Sequence, residues 1–217
     1  MVFRCVSPLL AAILALAPAA WAQEVNIIPG VQQRAFVLHG QDIVIARGQD
    51  PDHRLTGEFT KTARPCPPFC ITPHTIAPGV ATIGELEVIE FLATRVADGT
   101  GLLVDTRLPE WHAKGTIPGA VNLPFSTLSP DNPFRDDILR ALGGRLLGTV
   151  WDFGAAPDLA LFCNGPWCDQ TPRAVRDLLA VGFPADKMLY YRGGLQMWLT
   201  LGLTTHTPDP LRLTQGN

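Results

Sequence analysis

The sequence contains no run of basic residues, and its formal net charge is −3. A nucleic-acid-binding surface is therefore not expected. Beyond residue 22 no stretch is long and apolar enough to cross a bilayer, which takes about 20 residues, so no membrane span is expected after processing. Internal repeats and low-complexity tracts are absent, which excludes solenoids and arrays. So are a glycine-rich phosphate loop and a Ser, His and Asp order at catalytic spacing. No motif calls for a cofactor, and none fixes an oligomeric state.

What is present begins with an export pattern. Arg4 forms a short basic region, Leu9 to Ala17 an apolar core, and Ala20-Trp21-Ala22 a small-residue cleavage site. Residues 1–22 read as a signal peptide cleaved before Gln23, which predicts an exported protein, periplasmic in a Gram-negative cell. Of five cysteines, Cys5 leaves with that segment, so 5 − 1 = 4 remain: Cys66, Cys70, Cys163 and Cys168. An even number in an oxidising compartment suggests disulfides, and two close pairs favour chemistry within or between the pairs.

Residues 23–79 form an extension. Ala35 to Leu38 and Ile43 to Ala46 are short apolar runs around His39-Gly40-Gln41-Asp42, a hairpin signal. Arg64 to His74 holds Pro65, Pro67, Pro68 and Pro73, which exclude a helix and predict a stiff surface loop. Residues 80–205 alternate strand and helix patterns. Strands are expected at Ala81 to Ile83, Gly101 to Asp105, Ala120 to Pro124, Leu159 to Phe162 and Lys187 to Tyr191. Helices are expected over 85–97, 136–147, 172–181 and 195–201. This order predicts an α/β fold, a central parallel sheet of about five strands flanked by helices, with an N-terminal β and loop extension. Residues 206–217 read as a loosely held tail.

In such sheets functional loops lie at the carboxyl ends of strands. Cys163 follows the apolar run Leu159 to Phe162 directly, and Cys168 lies in the loop behind it. Backbone N–H groups at a loop-to-helix junction, and the helix dipole, favour a thiolate there. Thr171 reads as the N-cap of the next helix and Pro172 as its first residue. Asn164, Gly165, Trp167, Gln170, Thr171, Arg173 and Arg192 are candidates for substrate contact. Trp167 within the loop and Trp111, Phe125 and Trp151 elsewhere are candidates for an apolar wall beside the thiols. The two loop cysteines can close a structural disulfide or act as a nucleophile with a resolving partner. Cys66 and Cys70 have three readings: a structural disulfide, a redox pair, or, with His74, soft ligands for Cu(I) or Zn(II). His39, His53, His112 and His206 are scattered and read as surface or loop residues.

Three ordered motifs carry a resemblance. Val104 to Glu110 followed by Gly115 to Pro124, the strand ending in Cys163, and Tyr191-Arg192-Gly193-Gly194 with Trp198 and Gly202-Leu203 resemble the rhodanese family. Thr116 stands where the family usually has histidine. The resemblance implies a compact α/β domain with a cysteine in a loop lined by backbone amides. In active members that cysteine takes up a sulfane sulfur as a persulfide and passes it to a thiophilic acceptor. It therefore implies a small sulfur-containing substrate or a protein thiol as partner. Cys163 holds the family position of the nucleophile, with Cys168 its rival, and Asp105 and Arg107 match a pair that ties loops together. The loop here is longer than the common one, carries a second cysteine, and has no basic residue before Arg173.

Overall fold

The computed structural model describes residues 24–208, so the signal peptide expected over residues 1–22, Gln23 and residues 209–217 lie outside the described residues. The chain opens with an antiparallel hairpin, β1 (Gln33–Leu38) and β2 (Gln41–Ala46). His39 and Gly40 both take positive φ, 49° and 75°, the two-residue turn whose twist suits a hairpin. Residues 47–80 then wrap the domain with little regular structure.

The domain itself consists of β3 (Ala81–Ile83), α1 (Glu85–Phe91), β4 (Gly101–Asp105), α2 (Pro109–His112), β5 (Val121–Asn122), α3 (Arg135–Ala141), β6 (Arg145–Leu147), β7 (Val150–Asp152), β8 (Asp158–Phe162), α4 (Gln170–Ala180), β9 (Met188–Tyr191) and α5 (Gly194–Thr200). Helix α1 runs on into a wider π-turn, Leu92–Val96. Five strands form one parallel sheet in the order β3-β9-β8-β4-β5.

The period-2 alternation of the strands decides what each face buries. Leu103, Ala160, Phe162 and Tyr191 point to one side, against α1, α5 and the hairpin residues Phe36 and Ile45. Val104, Leu159, Leu161, Met188 and Tyr190 point to the other, against Leu139 of α3 and Ala174, Val175 and Leu178 of α4. The hairpin is thus part of the same core as the sheet.

Three expectations are corrected. The helix over 136–147 stops at Ala141. Gly143 takes φ +85° and the Gly144 N–H donates to the Leu139 carbonyl at 2.9 Å, a C-terminal cap only a glycine turn makes easily. Residues 145–152 are instead a small hairpin, closed by Arg145 and Asp152 at 2.6 Å. The tail is not loose as far as His206, whose backbone pairs with Thr116 through 2.8 and 2.9 Å hydrogen bonds. Nor is Thr171 an N-cap: α4 starts at Gln170 after Asp169, because the Thr171 hydroxyl is buried in a different contact.

Candidate active site

Register brings the site together. Asp105 of β4 pairs with Phe162 of β8, and Phe162 pairs with Tyr191 of β9. The next residues along these strands, Thr106, Cys163 and Arg192, therefore emerge side by side at the carboxyl edge of the sheet.

The base of this edge is a buried ionic cluster. Arg107 donates from Nε to Asp105 Oδ1 at 2.8 Å and from Nη2 to Asp105 Oδ2 at 2.6 Å, with both side chains fully buried. The same carboxylate accepts from His112 Nδ1 at 2.9 Å and from the Thr116 hydroxyl at 2.8 Å. Burial works to raise the Asp105 pKa, but the donors from Arg107, His112 and Thr116 outweigh it and hold the carboxyl below its usual range. Arg107 also reaches the Gly115 carbonyl at 2.7 Å, and its Nη1 lies 3.5 Å from Asn164 Oδ1. The Asn122 amide binds the carbonyls of Asp105 and Arg107. The Asp105 and Arg107 pair thus ties loops together. His112, read from sequence as a surface or loop residue, is buried because its ring completes this cluster.

Cys163 and Cys168 are free thiols, and both are buried. The Cys168 thiol, the Thr171 hydroxyl and the backbone N–H groups of Thr171 and Gly165 are directed at Cys163 Sγ. Burial alone would raise the Cys163 pKa; these donors outweigh it and hold it below the ordinary thiol value. The Cys168 carbonyl, 3.3 Å from the same sulfur, suits a thiol donor and opposes the thiolate, but it is one acceptor against four donors. For Cys168 the hydrogen bond to Cys163, then burial, push the pKa far up. Of the two thiols, Cys163 is therefore the one that gives up its proton more readily and Cys168 the one that keeps it. Behind them Thr171 Oγ1 lies 2.8 Å from Thr106 Oγ1, which is 2.9 Å from the Phe162 carbonyl.

Helix α5 fixes the loop from the other side. The N–H groups of Leu195 and Gln196 donate to the carbonyls of Cys163 and Asn164 at 3.0 and 2.9 Å. Gly194, at φ +57°, makes this approach possible: a Cβ there would sit 2.4 Å from the Cys163 carbonyl oxygen and 2.7 Å from the Gly165 nitrogen.

The other candidates separate. Asn164 and Gly165 are buried parts of the loop. Gln170 keeps a buried Oε1 with no partner in the structure. Arg173 is exposed and lies over the Phe125 ring at 4.3 Å, with no ion pair among the described residues. Arg192, a candidate for substrate contact, donates from Nη2 to the Thr72 carbonyl at 2.8 Å. It is an anchor because the extension folds over this edge: the Thr72 N–H and hydroxyl both donate to the Pro166 carbonyl, at 2.7 and 2.9 Å. Trp167 is the seat of that strap. Its ring lies 3.7 Å from the Arg64 guanidinium and edge-on to Phe69, and its indole N–H donates to Gln196. The aromatic wall does not form, since Trp111 packs on Phe59, Trp151 on Phe153, and Phe125 under Arg173.

Cys66 and Cys70 are joined in a disulfide, Cα to Cα 4.6 Å, so neither is a free thiolate for a metal. With His74 exposed, the metal reading is corrected; among the described residues no three His, Cys, Asp or Glu side chains cluster as a metal site. Sequence reasoning missed Thr106, Thr116, His112 and Gly194 as parts of the site. Thr106, Thr116 and Gly194 stand inside the quoted motifs, and that placement was the available signal.

A parallel sheet with a cysteine loop at its carboxyl edge, clamped by a Gly-Gly helix start, defines a class of α/β thiol proteins. The chain belongs to the rhodanese-like domain family, whose pattern it matches over residues 89–201. Among solved structures it is similar to the human single-domain sulfurtransferase TSTD1, at 24% identity over 56% of this chain and 96% of that one, TM-score 0.38. It is also similar to a Lactobacillus plantarum protein, at 19% identity over 58% and 87%, TM-score 0.43. A Thermoplasma volcanium rhodanese-related protein aligns at 16% identity over 59% and 99%, TM-score 0.38. A search of curated protein sequences returned no match. No helix among the described residues is long and apolar enough to cross a membrane.

Proposed function

We propose that this rhodanese-like protein is an exported sulfurtransferase whose Cys163 carries a persulfide. The observation that carries the reading is the set of donors aimed at the Cys163 sulfur at the end of β8. A thiolate so held attacks the outer sulfur of a sulfane donor such as thiosulfate. The new Cys163 S–S bond forms, sulfite leaves with the electron pair of the broken bond, and the amides of the loop bind the persulfide anion. An acceptor thiolate or cyanide then takes the outer sulfur and restores the Cys163 thiolate. Cys163 is only 2% exposed, so a donor reaches it when the Pro166 to Cys168 segment or the strap above it shifts.

Cys168 supports a second reading, thiol–disulfide exchange. Its thiol is hydrogen-bonded to Cys163, the arrangement of a nucleophile and its resolving partner. Export is supported by the leader pattern of residues 1–22 and by the Cys66–Cys70 disulfide, a bond that persists in oxidising compartments.

Intact mass spectrometry of the protein, with and without thiosulfate and reductant, tests these readings. The wild type gains one sulfur atom, Cys163→Ser gains none, and the exported chain begins at Gln23. A wild type that takes up no sulfur from any sulfane donor overturns the sulfurtransferase. A loop pair found oxidised after turnover favours the exchange reading.

A further inference from the structure

The strap disulfide is not buried beneath the fold that it joins. Cys66 is exposed and Cys70 half-buried. Both line a cleft of about 860 Å³ between the strap and α5, a size typical of ligand sites. Phe69, Ile71, Trp167 and Met197 form its apolar walls, and Arg64 its cationic one. Ile71 is 85% exposed and Met197 39%, so apolar surface lies open around the sulfurs. The Arg64 side chain is only 7% exposed: it stacks on the Trp167 ring, donates from Nη2 to the Glu58 carbonyl and lies 3.9 Å from the Glu58 carboxylate, while its Nε is buried without a partner.

A structural staple is a poor account of this bond. The strap is already held by Thr72 on Pro166, by Arg192 on Thr72 and by Arg64 on Trp167. Closing a loop with a sequence separation of 4 restricts the unfolded chain less than closing a long one. Attack on a disulfide needs an accessible sulfur and a leaving thiolate that is stabilised. Cys66 offers the first, and Cys70 shares its cleft with the Arg64 guanidinium, a charge of the sign that favours a thiolate.

We propose that the Cys66–Cys70 disulfide is a second reactive site, separate from the Cys163 loop, which oxidises a dithiol peptide docked by apolar side chains in this cleft. One peptide thiolate attacks Cys66 Sγ. A mixed disulfide forms, the Cys66–Cys70 bond breaks, and Cys70 leaves as a thiolate that takes up a proton. The second peptide thiol, deprotonated, attacks the peptide sulfur of the mixed disulfide. The peptide disulfide forms and Cys66 leaves as a thiolate, then is protonated. Two electrons and two protons pass from the peptide to the strap. A peptide fits better than a small thiol, because four apolar walls and open apolar rims serve no purpose for a small polar thiol.

The test uses the full chain as Cys163→Ser/Cys168→Ser, so that only the strap reacts, and a reduced two-cysteine peptide flanked by leucines. The expected result is stoichiometric peptide oxidation, about tenfold faster than by oxidised glutathione, the equivalent of roughly 1.4 kcal/mol of docking. Ile71→Ser/Met197→Ser brings the rate down to that of glutathione. Further replacement by Cys66→Ser/Cys70→Ser abolishes the reaction. Peptide mapping of the wild type follows the same disulfide without relying on the loop variant folding. A rate no faster than that of oxidised glutathione, or one indifferent to the Ile71 and Met197 changes, overturns the proposal. So does reduction of the strap as fast by glutathione as by the peptide. No sulfur donor is involved, so failure of sulfur transfer at Cys163 leaves this result unaffected.

Discussion

Removing one hydroxyl behind the Cys163 sulfur should reveal how the thiolate is held. Thr171→Val keeps the shape of a fully buried side chain and deletes the hydroxyl that donates to Cys163. The hydroxyl protons of Thr106 and Thr171 have two consistent arrangements. With Cys163 as a thiolate, Thr171 donates to sulfur and Thr106 donates to Thr171. With Cys163 as a thiol, Thr171 donates to Thr106, Thr106 to the Phe162 carbonyl, and the thiol to the Cys168 carbonyl. The substitution therefore costs the thiolate a charge-assisted bond and orphans no group in the thiol state, since Thr106 retains the Phe162 carbonyl at 2.9 Å. A hydrogen bond to a charged group contributes about 1.5–3 kcal/mol. At about 1.36 kcal/mol per decade, the thiolate fraction on the acid side of the titration falls roughly 10- to 150-fold. Thiolate ultraviolet absorbance against pH reads this directly and needs no reagent to reach a buried sulfur. Thr106→Val should move the curve the same way by less, because it acts through Thr171. An unmoved Thr171→Val curve, or a larger effect from Thr106→Val, refutes the chain of donors.

Gly194→Ala should destabilise the protein by about 2–5 kcal/mol in denaturant titration, since its Cβ would meet three backbone atoms of the loop at 2.4–2.9 Å in a left-handed conformation. Gly40→Ala, at φ +75° with open space around it, is the control and should cost only about 1 kcal/mol. Asp105→Asn leaves the fully buried Arg107 uncompensated and should cost about 3–5 kcal/mol near neutral pH. Because the folded state lowers the Asp105 pKa, its stabilisation is complete above the unfolded carboxyl value of about 3.9 and is lost as pH falls through the lower folded value. The gap between wild type and Asp105→Asn should thus close only in acid; a gap that closes above pH ~6 contradicts the assignment. Arg192→Ala removes the donor to the Thr72 carbonyl and should speed hydrogen exchange at the Thr72 N–H, which unchanged protection would disprove.

The elements legible in the sequence were those whose signals are local. The strand alternation, the His39-Gly40 turn and the strand ending in Cys163 depend on neighbours within a few residues. The family motifs then placed Asp105, Arg107 and the Gly193-Gly194 start of α5. What escaped depends on partners far along the chain. Thr72 meets Pro166 at a separation of 94 residues, and Arg192 meets Thr72 at 120. Nothing local marks Trp167 as the seat of a strap or His112 as the third donor to a buried carboxylate. Thr171 shows the same limit at short range. Its local signal is that of a cap, but the buried Cys163 sulfur and Thr106 compete for its hydroxyl and win. Residues 143–147 differ for another reason: the helix expected over 136–147 crosses Gly143-Gly144, and the positive φ of Gly143 ends it.

The Cys163 loop lacks the early basic residue of the common pattern and carries Cys168 in addition. A neutral S–H directed at Cys163 supplies part of what a cation would: it stabilises the thiolate by donation, without placing a charge in a buried site. The same arrangement bears on the proposed persulfide. Cys168 can discharge it only as a thiolate, releasing sulfide and closing a loop disulfide, and its pKa is pushed far up while Cys163 is anionic. In the proposed persulfide the negative charge moves to the outer sulfur, and a negative charge close to Cys168 opposes loss of its proton. On that proposed reading, the second thiol while protonated leaves in place the sulfur it could otherwise remove. Resolution becomes competitive when the outer sulfur has moved away from the loop donors towards an acceptor, and the Cys168 proton is no longer held by a neighbouring negative charge.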